Sequence, residues 1–451
     1  MVPSHEAAVA ANRFGLGARP GELDQIGRDP KAWLANQLNT RQVLPPELRD
    51  LPHSSENVRL FFVAKKMMRQ AKKNKDRSRR KMMRKRIRRA FQKEAAAHSL
   101  AAVNSDQPFR ERLVRFWANH FTVSVRNGKV RPVAYAFERE AIRPYVTGRF
   151  ADMLLAVARH PAMLVYLDNQ RSIGPNSRAG RRRKKGINEN LAREILELHT
   201  MGASRVYTQD DVISFAKMLT GWTMMGRKSD TPGRFTFRQA IHEPGPKRFL
   251  GRVIPESGMR EAETAMLMMA SHPETAWHVA TKMATHFISD NPSPDAIAHI
   301  ASAFSKSGGD LRATSLALLQ LPEAWQPKPM KMKSPAEYVI SVARALDTDL
   351  NEGKGMVRAQ NILGQKPYAA TSPAGWPDKA EAWAAPEAML ERLEWGASMA
   401  VHAKRDLDPI SFANSILGPT VSRKTLTWIA RAPSVREAVA LIFASPAFQR
   451  R

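Results

Sequence analysis

The chain has 451 residues, 43% hydrophobic and 25% charged, which is ordinary for a globular protein and excludes a wholly disordered one. Lys and Arg number 71 against 42 Asp and Glu, a net charge of +29 that favours acidic partners such as nucleic acid, anionic lipid or an acidic polymer. With no cysteine, disulfides, thiolate zinc sites, iron–sulfur clusters and a cysteine nucleophile are excluded.

No basic leader followed by an apolar run opens the sequence, so a cytoplasmic protein is the default expectation, and a mature exported form would read the same. No stretch approaches the roughly 18 apolar residues of a membrane span. Residues 21–39 suit two short helices around Asp29-Pro30, and 57–103 runs helical without Gly or Pro. In 108–124, Leu113, Phe116, Trp117, His120 and Phe121 form an amphipathic stripe, and 150–168 is a helix broken at His160-Pro161. Capping signals open helices at Thr208/Asp211, Ser334/Glu337 and Ser434/Glu437. Further helices fit 256–271, 275–289, 294–306, 310–321, 386–402 and 434–445.

Only 233–254 departs from helical spacing. Phe235-Thr-Phe237 alternates, Glu243-Pro-Gly-Pro246 breaks the chain, and Phe249-Leu250 follows. The fold expected is all-α: a large bundle-like helical unit over 1–451 with one small β-hairpin or loop insert. Its sub-blocks are N-terminal helices (1–56), a basic helical hairpin (57–103), a motif-bearing core (104–232), the insert (233–255) and a C-terminal helical block (256–451).

Residues 65–93 hold sixteen Lys and Arg and one acid, Asp76, and 177–185 adds six basic residues and no acid. Arg79, Arg80, Lys81, Arg84, Lys85, Arg181, Arg182 and Arg183 are the candidate contacts to a polyanion, nucleic acid or acidic polymer. The competing reading is a solvated face around an apolar seam of Met67, Met68, Ala71, Met83, Ile87, Ala90 and Phe91.

Three segments carry candidate chemistry. In 188–202, Asn190, Glu194 and Glu197 recur at i, i+4 and i+7, within roughly 60° on a helix, while His199 falls elsewhere. Two carboxylates on one face can divide acid and base work or hold a divalent cation. Alternatively, Arg193 pairs with Glu189 and Glu197 in a salt-laced surface helix. His120 lies on an apolar stripe beside Asn119, as a proton carrier or as a core histidine. His242 and Lys247 flank a Gly/Pro-shaped loop that could meet an anionic group or simply lie at the surface.

The segments Asn12-Arg-Phe-Gly-Leu-Gly17, Arg112-Leu-Val-Arg-Phe-Trp-Ala-Asn-His-Phe121, His160-Pro-Ala-Met-Leu-Val-Tyr-Leu167 and Asn188-Glu-Asn-Leu-Ala-Arg-Glu-Ile-Leu-Glu-Leu-His199 come in this order. They continue with Tyr207 to Val212, Thr220-Gly-Trp222, His242 to Gly251, Lys333-Ser-Pro335, Leu363-Gly-Gln365, Gly375-Trp-Pro377 and Ser445 to Arg451. In these the chain resembles the bacterial "domain of unknown function 1800" family over nearly its whole length. It departs from the family pattern at Glu243, where Asp is usual, and at Leu191, where Tyr is frequent. The resemblance implies a mostly helical fold, frequent export, and a gene neighbour resembling the sulfatase and alkaline-phosphatase superfamily.

Two functions follow as expectations. One is hydrolysis of a polyanionic or saccharide-like substrate, with Glu194, Glu197 and His120 catalytic and Asn119, Asn190, His242 and Lys247 binding substrate in one shared chamber. The other is a non-catalytic binding or assembly protein acting through its basic segments, or an accessory to a sulfatase-like partner.

Overall fold

The computed structural model describes residues 4–27, 29–39, 44–183 and 186–451. Helix of all kinds accounts for 63% of the described residues, with 24 α-helices and short π- and 3-10-helical turns among them, and the buried apolar side chains form a cluster reaching from Ala7 to Phe448. No helix among the described residues is long and apolar enough to cross a membrane.

Proline sets much of the helix phasing. The recurrent Xaa-Pro steps end one helix and begin the next. Phe150–Arg159 stops at His160, and Pro161 opens Pro161–Tyr166; Pro273, Pro335 and Pro446 likewise sit in the first turns of Pro273–Phe287, Pro335–Ala345 and Pro446–Gln449. Proline suits that position because its fixed φ is helical and its missing N–H would have no partner there. At two of these starts the preceding histidine is the cap: His160 Nδ1 accepts from Ala162 N (3.1 Å) and His272 Nδ1 from Glu274 N (3.2 Å). The capping boxes at Thr208/Asp211 and Ser334/Glu337 form as their sequences indicate, and Ser434 caps Val435–Ala444.

The basic stretch folds into two long helices, Ser54–Lys73 and Arg77–Asn104, packed against each other and joined by a tight turn at Lys75 (φ 55°). Asp76, the lone acid, caps the second helix through Arg79 N at 2.8 Å. The seam between them buries Ala64, Ala71 and Met83 and half-buries Met67, Ile87 and Phe91; Ala90 of the expected seam is exposed.

Among the described residues the sheets are two, each two-stranded and antiparallel. β1 (Trp222–Met224) pairs with β2 (Phe235–Phe237), and β3 (Lys247–Phe249) pairs with β4 (Arg252–Ile254). The insert therefore starts about ten residues before the expected boundary. Gly221 (φ 89°) follows the preceding helix and turns the chain straight into a strand whose Trp222 is fully buried.

Distant segments are tied by buried arginines. Arg13 donates to the carbonyls of Ala324 (2.6 Å), Gln326 and Lys328 (both 2.8 Å). Arg344 donates to Gly17 O (2.7 Å) and Val103 O (2.8 Å) and forks onto Glu22 at 2.8 and 2.9 Å. A planar five-donor head suits several acceptors at once.

Candidate functional site

A cavity of about 360 Å³ lies where Pro108–His120, Pro273–Phe287, the second half of Arg77–Asn104, the start of Pro335–Ala345 and the 365–383 loop converge. It reaches the surface past the exposed Ala374 and Pro377.

Pro273–Phe287 carries His278, Lys282 and His286 at i, i+4 and i+8, one line down a helix face, and the last two line the cavity. His286 Nδ1 meets Asp378 Oδ2 at 2.7 Å, and its buried Nε2 has no partner. Burial pushes the His286 imidazole below its ordinary range; Asp378 pulls it up and Arg451 pushes it down. Burial also pushes the Asp378 carboxyl up, but His286, Arg451 and Lys331 outweigh it and bring it down to about 2. At neutral pH the pair is thus an aspartate holding a neutral imidazole by Nδ1–H, with the Nε2 lone pair unoccupied.

Asp378 is delivered by a loop that Asn119 fixes. The Asn119 amide donates to Trp376 O (2.9 Å) and accepts from Trp376 N (2.8 Å), imitating a strand partner. Gly375 makes this approach possible: at φ 87°, a Cβ there would stand 2.5 Å from Asn119 O. Glu337, which caps its helix through Ser334 N (2.7 Å), also pairs with Arg112 and with Arg451 Nε (3.0 Å). Burial raises the Glu337 carboxyl, but Arg451 and Arg112 hold it well below the usual range.

His120 sits among Phe116, Trp117, Phe121 and Phe150 on the same wall. Its Nε2–H donates to His199 O (3.1 Å), and its Nδ1 is unpartnered. Burial, then the charge of Lys282, pushes the ring well below its ordinary range, and His199 is pushed to about 3 for the same reasons. Lys282 is itself pushed down by burial, with Asp378 opposing.

Each acid on the wall is matched: Glu138 by His98 and Arg143, Glu337 by Arg112 and Arg451, Asp378 by His286. Among the described residues, two cations on the wall, Arg115 and Lys282, form no ion pair. The cavity therefore offers uncompensated positive charge and the rings of Trp376 and Trp383, and its lining includes His120 and His286, each with one buried nitrogen that has no partner.

Of the residues singled out by sequence, Asn119 and His120 line this cavity, and Glu194, Glu197, Asn190, His242 and Lys247 do not. Asn190 is exposed. The helix Asn190–Glu194 runs into a π-helical turn, Ile195–His199, which brings the His199 carbonyl to His120. Arg193 bridges Glu189 (3.0 Å) and Glu197 (3.3 Å), which is the salt-laced arrangement. Glu194 is half-buried, and burial, then the Glu197 charge, pushes its carboxyl up to about 7.

His242 and Lys247 are spent inside the fold. His242 meets Thr220 O at 2.8 Å and Glu261 Oε1 at 3.1 Å; Lys247 Nζ reaches Glu261 Oε2 and Glu243 O, both at 2.6 Å. Glu243 binds the backbone and side chain of Asn176 at 2.9 and 2.7 Å. A loop exposed to ligand is thereby replaced by a buried ionic clasp between the β insert and Met259–Ala270. No group of three or more His, Asp or Glu side chains suited to a metal ion occurs among the described residues.

On the basic segments, Arg79, Lys81, Arg84, Lys85, Arg181 and Arg182 are exposed and Arg80 is half-buried; the Arg183 side chain lies outside the described residues. The sequence reading missed His286, Lys282 and Asp378. The first two were signalled by the four-residue spacing from His278, whereas Asp378, 92 residues from its partner, had no local signal.

The family described as protein of unknown function (DUF1800) matches residues 9–450. No curated protein and no solved structure matches the chain.

Proposed function

We propose, for a chain that belongs to the family described as protein of unknown function (DUF1800), that this cavity hydrolyses a small anionic, saccharide-like substrate with His286 as general base. The observation that carries the reading is that His286 lines the cavity with its Nε2 partnerless and its other nitrogen held by Asp378. A neutral imidazole fixed in that tautomer can take a proton from water as it attacks, and the aspartate then steadies the imidazolium. The same proton returns to the leaving group. Lys282 and Arg115 supply charge for the anionic group, and the Trp376 and Trp383 rings offer apolar faces to a sugar ring. His120 and Asn119 keep roles in this scheme, the first as a wall and the second as the clamp on the Trp376 loop. Glu194, with its raised carboxyl, lies outside it.

The test is turnover of 4-nitrophenyl acetate, phosphate, sulfate and glucuronide by the full chain. At least one is expected to be hydrolysed, with His286→Gln slower by about 10³-fold and unchanged melting. Lack of turnover of all four, with no calorimetric binding of glucuronate or sulfate, would sink the reading. So would a His286→Gln variant as active as the parent.

A second reading is favoured by a separate observation. Among the described residues, none of the sixteen Lys and Arg side chains of 65–93 enters an ion pair. So many unpaired cations on one projection suit binding of an acidic macromolecule.

A further inference from the structure

The hairpin is not only basic. Its two helices leave a groove, distinct from the cavity, along their paired faces. Leu60, Val63 and Met67 line it from Ser54–Lys73, at i, i+3 and i+7; Met83, Ile87 and Phe91 line it from Arg77–Asn104, at i, i+4 and i+8. Leu60 is 51% and Val63 46% exposed, unusual for large aliphatic side chains side by side on a charged element. Arg86 and Arg131 stand in the groove wall, and the flanks carry the unpaired cations of 65–93. The groove encloses about 100 Å³, room for an anchoring side chain. From Met83 to Phe91 it extends roughly 12 Å, or about two helical turns at 1.5 Å per residue.

We propose that this groove receives an acidic amphipathic helix of a partner protein, which completes a three-helix bundle with the hairpin. This rests on the second reading above, that the basic segments bind an acidic macromolecule, and names its class. Charge complementarity requires carboxylates on the flanks of the guest, and the aliphatic floor requires an apolar stripe between them. Nucleic acid would satisfy the cations and leave Leu60, Val63 and Met67 in water. A lipid surface is flat, and the apolar side chains lie between two helices with Arg86 and Arg131 in the wall.

The experiment uses the full chain and a fluorescein-labelled 18-residue peptide with leucines at i, i+3, i+4 and i+7 and glutamates on the flanks. Its comparators are a scrambled isomer of identical composition, a 20-base-pair DNA duplex and phosphatidylglycerol vesicles. Affinity is read by anisotropy, or by co-sedimentation for vesicles. The variant is Leu60→Gln/Val63→Gln, which preserves charge and alters half-exposed positions; its melting curve checks the fold. The expected result is peptide binding at least tenfold tighter than the scrambled isomer, and a loss of at least tenfold in the variant. Equal affinity for both isomers, or no loss in the variant, overturns the proposal. If duplex binds equally well to parent and variant while the peptide does not bind, the acidic-macromolecule reading survives and the helix assignment falls. Vesicle binding that the variant abolishes, without peptide binding, overturns it in favour of lipid. Failure of every probe removes both.

Discussion

Replacing Arg143 by methionine tests whether the cavity wall at Glu138 is held by charge. Arg143 forks onto Glu111 at 2.6 and 3.0 Å and reaches Glu138 at 2.7 Å, and all three side chains are buried. Glu138 continues to His98 Nδ1 (3.1 Å), His98 to Arg139 (3.3 Å), Arg139 to Glu94 (2.9 Å), and Glu94 to Asn57 (2.9 Å). Methionine fills the stem's volume but leaves two buried carboxylates short of three charged hydrogen bonds. Each such bond contributes about 1.5–3 kcal/mol, and stripping one partner from a buried ion pair costs about 3–5 kcal/mol. The contributions overlap, so the expected loss is about 4 kcal/mol at pH 7.5. Its pH dependence has a definite sign. Burial pushes the Glu138 carboxyl up, but His98 and Arg143 hold it well below its ordinary range. The parent network is therefore at full strength above the unfolded carboxyl range and is lost as pH falls through the depressed folded value. In the variant, Glu138 loses Arg143 and keeps only His98, and protonation relieves it. The stability gap thus narrows between pH 7.5 and about pH 4.5. Urea unfolding followed by tryptophan fluorescence at both pH values measures it, and Arg143→Met/Glu111→Gln/Glu138→Gln is expected to recover at least half the loss. A gap under about 1 kcal/mol at pH 7.5, or one of equal size at both pH values, would refute the reasoning.

Other positions give sharper local tests. Glu194→Gln is expected to be more stable than the parent at pH 8 by about 1 kcal/mol, discounted for a carboxyl only half out of water, and equal to it near pH 4. The reason is that a carboxyl raised to about 7 costs the fold stability as pH climbs from its unfolded value to 7; a variant less stable at pH 8 contradicts this. Gly375→Ala forces a Cβ to within 2.5 Å of Asn119 O at a φ of 87°. It is expected to break the Asn119–Trp376 pairing, cost about 2 kcal/mol and shift the near-ultraviolet circular dichroism of Trp376; an unchanged spectrum and melting point would count against the clamp. Lys247→Met leaves Glu261 Oε2 buried without its 2.6 Å partner and should cost about 3 kcal/mol in urea unfolding, whereas a neutral outcome would mean that the clasp contributes nothing.

Local signals carried most of the fold. The caps at Thr208 and Ser334 and the break at His160-Pro161 are decided within four residues, where backbone hydrogen bonding and proline sterics act alone. The π-helical turn at Ile195–His199 was not legible, because periodicity assumes 3.6 residues per turn and the extra residue is accommodated only by packing around His120 and Phe121. The Glu189–Arg193–Glu197 bridge was readable from i, i+4 spacing, and the raised carboxyl of Glu194 was not, since it depends on burial. In the cavity the histidine spacing of Pro273–Phe287 was on view, but charge matching across 92 residues is a tertiary property. Buried histidine and lysine at 242 and 247 illustrate the converse error. Gly and Pro mark a loop, yet say nothing of whether that loop faces water or closes over a carboxylate.

The helix Arg77–Asn104 explains why the cavity and the groove are best considered parts of one construction. Its first half, to Lys93, is cationic and largely exposed, with Met83 its buried residue; from Glu94 onward it is mostly buried, and Ala95, His98 and Ser99 line the cavity. A helix carrying this many like charges in series repels itself and would fray in isolation. It is held by the apolar packing of its second half and by the ionic chain beginning at Glu94, which lines the groove at one end and, through Arg139 and His98, meets Glu138 in the cavity wall at the other. The same ion network touches the cavity at Glu138 and the groove at Glu94, which is why its loss is expected to register at both surfaces.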